Sequence, residues 1–119
     1  MRMNKCYHLS TCSTCKKIID AAGLPSKGFT LQNIKTEKIT SEQLEEMHKL
    51  VGSYEALFSR KSQQYRSRGL HEKQLTEDDY KNLILEEYSF LKRPVTIVGN
   101  QIFIGNGKDA IAGLVEATA

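Results

Sequence analysis

Between Lys5 and Ala22 the chain changes its hydrophobic period once, and two cysteines stand at the change. Lys5 to Leu9 alternates as a short strand, with Cys6 and His8 on one side and Tyr7 and Leu9 on the other. From about Ser13 to Ala22 the apolar residues Ile18, Ile19 and Ala22 recur at helical spacing, and Gly23 with Pro25 supplies the stop. Ser10, Thr11 and Ser13 are residue types that cap such a helix at its start. In between, "LSTCSTCKK" sets Cys12 and Cys15 at C-x-x-C spacing where strand gives way to helix.

The rest of the chain narrows the topology. Phe29, Leu31 and Ile34 suggest a second strand with imperfect alternation. Thr40 or Ser41 opens a helix carrying Leu44, Met47, Leu50 and Val51, which ends near Gly52. Leu57 to Gly69 is polar, rich in arginine and weakly periodic. Thr76, followed by Glu77, Asp78 and Asp79, puts negative charge where a helix dipole favours it, and Tyr80, Leu83, Ile84, Tyr88 and Leu91 form the apolar face behind it. Val95 to Val98, the turn Gly99-Asn100 and Ile102 to Ile104 read as a hairpin, and Asp109 to Ala117 as a last short helix. The order is β-α-β, then helices, then β-β-α. With C-x-x-C after the first strand, this is the α/β, thioredoxin-like arrangement: a mixed sheet flanked by helices. One domain over 1–119 is expected, with a helical insertion at about 41–91 that is too long for a simple connection.

Composition excludes several function classes. The 119 residues are 39% hydrophobic and 26% charged, enough for a core without disulfide staples. A net charge of +3 is too small to argue for direct binding of nucleic acid. The first residues lack the apolar run of a signal peptide, and no stretch reaches membrane-spanning length, so a cytoplasmic protein without membrane contact is expected. In a reducing compartment a C-x-x-C serves catalysis, sensing or metal binding rather than a structural disulfide.

Chemistry favours a redox pair. At a helix entrance, the Cys12 thiolate meets the partial positive charge of unpaired backbone N–H groups. Lys16 and Lys17 add positive charge, and Ser13 and Thr14 offer hydrogen bonds. Cys15, one helical turn on, can attack a sulfur adduct on Cys12, which makes Cys12 the nucleophile and Cys15 the resolving thiol. A zinc site would draw on Cys6, His8, Cys12 and Cys15, but no second C-x-x-C or histidine pair completes the usual two-segment pattern, so no metal is expected. His8 can raise the thiolate fraction of Cys12 or serve structure alone; His48 and His71 read as surface positions.

Three blocks, "YHLSTCSTCKKI" at Tyr7 to Ile18, "GSYEALFSRKSQQYRSRGL" at Gly52 to Leu70 and "FLKRPVTIVGNQIFIGNGKDAI" at Phe90 to Ile111, resemble the ArsC/Spx family of arsenate reductases and redox regulators. The resemblance implies a glutaredoxin-like fold with a helical insertion and places Cys12 at the catalytic cysteine and His8 at its helper. It likewise implies that Arg60 and Arg93 bind the oxyanion and that Pro94 is the cis-proline. A small oxyanion such as arsenate would be the substrate, with glutathione and glutaredoxin, or thioredoxin, as electron donor and no tightly bound cofactor. Guanidinium groups and helix N-termini both suit a tetrahedral anion.

Two departures point toward the regulator branch. Where the reductases carry a third arginine this chain reads Gly105-Asn106-Gly107, leaving Arg66 and Arg68 as candidates to replace it. Cys15 is a second cysteine that many such reductases lack. Regulators of the Spx type have C-x-x-C as a redox switch and bind the α subunit of RNA polymerase near a glycine that Gly52 matches. Gly52 is equally a helix C-cap, and "YHLSTC" is closer to the reductase loop.

Overall fold

The computed structural model describes residues 4–9, 11–105 and 107–118. Ser10, one of the capping candidates, and Asn106 of the Gly-Asn-Gly stretch lie outside the described residues. The chain forms two compact units, Met1–Glu37 with Arg93–Ala119, and Lys38–Lys92.

The first unit is an α/β, thioredoxin-like sheet. Strands β1 (Asn4–His8), β2 (Thr30–Asn33), β3 (Val95–Val98) and β4 (Gln101–Ile104) lie in the order β2-β1-β3-β4. β1 runs parallel to β2 and antiparallel to β3, and β3 runs antiparallel to β4. The parallel pair needs a crossover, which helix α1 (Ser13–Ala22) supplies. Because β1 is central, both Cys6 and Tyr7 are fully buried, one on each face. Cys6 shares its core with Ile18, Ile19 and Ala22 of α1, with Leu24, and with Leu114 of helix α5 (Lys108–Thr118). Burying each such aliphatic side chain stabilises the unit by about 1.5–3 kcal/mol. Helix α5 comes so close to β4 that a Cβ on Gly113 would lie 2.8 Å from the Phe103 ring.

Two details of this unit differ from the sequence reading. On β2 the alternation is inverted: Leu31 is exposed and Gln32 is buried. The edge position explains this, since only part of β2 needs covering and the Gln32 amide donates to the Glu37 carbonyl at 3.0 Å. At the start of α1 the cap is Cys12 rather than Ser10, Thr11 or Ser13. Gly23 does close the helix, in the left-handed conformation at φ 63°.

The second unit is helical. Helix α2 (Ser41–Val51) opens on a capping box between Thr40 and Gln43, and α4 (Glu77–Glu86) on one between Thr76 and Asp79. Only a short α3 (Gln63–Ser67) forms in the weakly periodic stretch. Phe58 stacks on Phe90 with ring centroids 5.1 Å apart and meets Tyr80 at 4.8 Å. Tyr88 and Leu91 do not continue the face of α4, because Glu87 is extended and its carboxylate takes the Ser89 N–H, turning the chain. Leu91 instead pairs with Phe58 in a β-bridge. No helix among the described residues is long and apolar enough to cross a membrane.

Candidate active site

The sulfur of Cys12 caps α1. Its residue is extended, at φ −92° and ψ 109°, and its N–H donates to the Leu9 carbonyl at 2.9 Å. Its own carbonyl already accepts from Lys16 N–H at 3.2 Å, and its Sγ accepts from Cys15 N–H at 3.4 Å. A sulfur thus takes the place that a serine or aspartate oxygen usually holds, satisfying one of the helix's orphan donors.

The two thiols are driven apart electrostatically. Burial alone would raise the Cys12 thiol, but the N–H and the S–H of Cys15, the N–H of Thr14 and the charge of Arg93 together hold it below an ordinary thiol. Burial pushes Cys15 up to about 12; a hydrogen bond from the Leu9 backbone opposes this, while the Cys12 sulfur and charge add to it. Cys15 therefore keeps its proton and donates it toward Cys12. The pair divides into a nucleophile and a held-back thiol, as thiol exchange requires. Both are free thiols in the structure.

Arg93 is the cation set against this pair. Its charge lowers both cysteines. Its Nε and Nη1 are buried and have no hydrogen-bond partner among the described residues. The strand register bears on its position: Tyr7 lies opposite Val95, so Arg93 and Pro94 lead into β3 beside the end of β1 from which the cysteine loop departs. The Arg93–Pro94 peptide is cis, and the buried Pro94 offers its carbonyl to Gly105 N–H at 2.9 Å.

The other predicted residues fall into place less uniformly. Lys16 and Lys17 are exposed, and the charge acting on Cys12 is that of Arg93 instead. Thr14 acts through its backbone N–H, and Ser13 is exposed at the first turn. His8 is held below its usual value by burial, so its imidazole is neutral at pH 7; the influences on Cys12 come from Cys15, Thr14 and Arg93. Arg60 belongs to the helical unit, where its Nη2 donates to Glu55 at 2.6 Å and to Tyr80 at 3.0 Å. In that unit Arg68 pairs with Glu86 at 3.1 Å, and Gly52 is an exposed C-cap at φ 84°. Cys6 is pushed up to about 11 by burial and takes a hydrogen bond from Thr96, so it is an inert core thiol. Among the described residues no three His, Cys, Asp or Glu side chains converge to hold a metal ion. The coupling of Arg93 to the thiols went unread in the sequence. The resemblance that set Arg93 at the oxyanion site was its signal.

Comparison with known proteins agrees with this architecture. The ArsC family model matches residues 7–114. The arsenate reductase from Vibrio cholerae superposes with a TM-score of 0.79 at 16% identity, covering 95% of this chain and 98% of that one. A protein of Bacteroides fragilis described as ArsC family related gives 0.79 at 21% identity, over 96% and 98%. An arsenate reductase related protein from Brucella melitensis gives 0.69 at 21% identity, over 93% and 92%. No curated protein sequence matches the chain significantly.

Proposed function

The chain belongs to the ArsC family, and from that premise we propose that it is a thiol oxidoreductase of the arsenate-reductase type, with Cys12 as nucleophile and Cys15 as resolving thiol. The observation that carries this reading is Arg93. A half-buried guanidinium whose Nε and Nη1 are buried without partners among the described residues is costly unless an anion meets it, and here it acts on a thiol already held toward its ionised form.

In this scheme the Cys12 thiolate attacks the pentavalent arsenic of arsenate, and one oxygen leaves as water. Arg93 and the first-turn N–H groups hold the remaining oxygens. Once Cys12 is bonded to arsenic its negative charge is gone, which removes one of the influences that raise Cys15. Cys15 then releases its proton and attacks the Cys12 sulfur. The S–As bond breaks, its electron pair stays on arsenic, and arsenite departs as the disulfide forms. Glutathione with glutaredoxin, or thioredoxin, supplies the two electrons that restore the dithiol. The oxyanion cation in this scheme is Arg93. Arg60, to which family resemblance gives a like role, is engaged by Glu55 and Tyr80 within the helical unit.

The test is a single-turnover reaction of the reduced protein with arsenate, quenched by alkylation and mapped by mass spectrometry. Arsenite release with a Cys12–Cys15 disulfide is the expected result, and Cys12→Ser should abolish it. A protein that arsenate leaves reduced, while diamide forms the same disulfide, would sink the reductase reading in favour of a redox-switched binding module. Binding to the α subunit of RNA polymerase in each redox state would then be the next assay.

A further inference from the structure

Arg93 has one more property, which follows from what surrounds it. Two of its guanidinium nitrogens are buried without a hydrogen-bond partner among the described residues, and it leads into β3 beside the end of β1, just before Leu9, whose carbonyl holds the Cys12 N–H. In the reduced protein this cation acts on the Cys12 sulfur, the cap of α1, and helps hold it toward its ionised form. Oxidation removes it. The balanced step is a thiolate and a thiol giving one disulfide, one proton and two electrons, the electrons passing to the oxidant. Afterwards the guanidinium still has two buried nitrogens, unpartnered among the described residues, while both sulfurs are neutral. Buried charge left without a counter-ion is strongly disfavoured, so the demand for an external anion rises at that moment.

Reduction has the reverse effect. A thiolate beside the guanidinium shares its charge and repels a second anion, and a partly buried site screens such repulsion less than water does. We propose that Arg93 binds inorganic oxyanions more tightly in the disulfide form of the protein than in the dithiol form, so that anion occupancy and thiol redox state regulate each other. This rests on the reading of Arg93 as the oxyanion cation and adds to it a direction of coupling. Linkage makes the effect reciprocal: an anion that prefers the oxidised form makes the disulfide harder to reduce by the same factor. A tenfold preference lowers the reduction potential by about 30 mV. Unreactive phosphate or sulfate would then act as a brake on regeneration as well as a competitor for substrate.

The experiment uses the full chain and sulfate as the probe, with chloride at matched ionic strength as the control for screening. Sulfate affinity is measured by calorimetry on the dithiol protein and on the diamide-oxidised protein. Both are followed by redox titration with and without sulfate. At least tenfold tighter binding to the oxidised protein is expected, with a potential about 30 mV lower at sulfate concentrations that saturate both forms. Cys12→Ser, which removes the thiolate without oxidation, should bind sulfate as tightly as the oxidised protein. Equal affinity for the two redox forms, or a potential that sulfate leaves unmoved, overturns the coupling. If arsenate still yields arsenite and the disulfide in that case, the proposed reductase chemistry stands and only the coupling fails. If sulfate binds neither form, Arg93 is no oxyanion cation and both readings of it fall together.

Discussion

The two compact units treat polar groups in opposite ways. In the helical unit, Lys38–Lys92, charged side chains are matched close to home: Arg60 with Glu55, Arg68 with Glu86, Lys81 with Glu45. Its helix ends are satisfied too, by two capping boxes and by the Glu77 carboxylate, which takes the N–H groups of Tyr54 at 2.8 Å and Glu55 at 3.0 Å. The sheet unit keeps its imbalance. Buried Asn4 Oδ1 and Arg93 Nε and Nη1 have no partner among the described residues, and two thiols of opposed tendency face each other across one helical turn. Satisfied polar groups fix a structure, whereas unsatisfied ones beside a nucleophile supply a site.

The largest expected effect tests that contrast directly. Arg93→Gln should slow arsenate-dependent disulfide formation by about 10²–10³-fold, the range for losing a main electrostatic donor. The pH midpoint of Cys12 alkylation should rise in the same variant. Arg60→Ala, in the unit whose charges are matched, should leave that midpoint where it was. An equal shift from both substitutions would erase the distinction between the units.

Alkaline pH sharpens it next. Cys6 and Cys15 are raised in the folded protein to about 11 and about 12, from an ordinary 9.0. A raised acid gives stability that is complete below the unfolded value and lost as pH climbs through the folded one. The urea midpoint of the reduced protein should therefore fall from about pH 9 upward. Cys6→Ala should flatten that fall, although the small cavity it leaves lowers stability at neutral pH. An unchanged slope would mean that Cys6 ionises as freely folded as unfolded.

Packing of the sheet unit is the third point. In Gly113→Ala the new Cβ would meet the Phe103 ring at 2.8 Å, and overpacking of this kind costs about 1–3 kcal/mol. Chemical denaturation reads it. No loss would show that the ring swings aside. Smallest is Thr76→Ala, which removes one half of a capping box and should cost about 1 kcal/mol. Its signature is a lower urea midpoint with the alkylation rate of Cys12 unchanged.

What could be read from the sequence follows the range of the forces involved. Elements bounded by glycine, proline and capping residues were legible, because those signals act within a few positions: Thr40, Thr76, Gly23 and Gly52 all end helices in the structure. The cysteine pair was legible for the same reason. Lys16 and Lys17 were near Cys12 in the chain and so drew attention, yet both point to solvent. Arg93 is brought to the thiols by the pairing of β1 with the distant β3 that follows it, which no local pattern encodes and only the family resemblance anticipated. The cap of α1 misled for a subtler reason. Residue preference favours serine and threonine there, while the fold uses a sulfur that the cap itself holds toward ionisation.

The β1–β3 register also governs timing. Asn4 lies opposite Val98, so the strand that carries the thiol loop waits for a partner made almost a full chain length later. Such long-range pairing forms slowly, after local helices have condensed. Until β3 docks, Cys12 has the first-turn N–H groups of α1 but lacks the charge of Arg93. The local helix begins to sharpen the nucleophile early, and a strand paired from far along the chain completes the task.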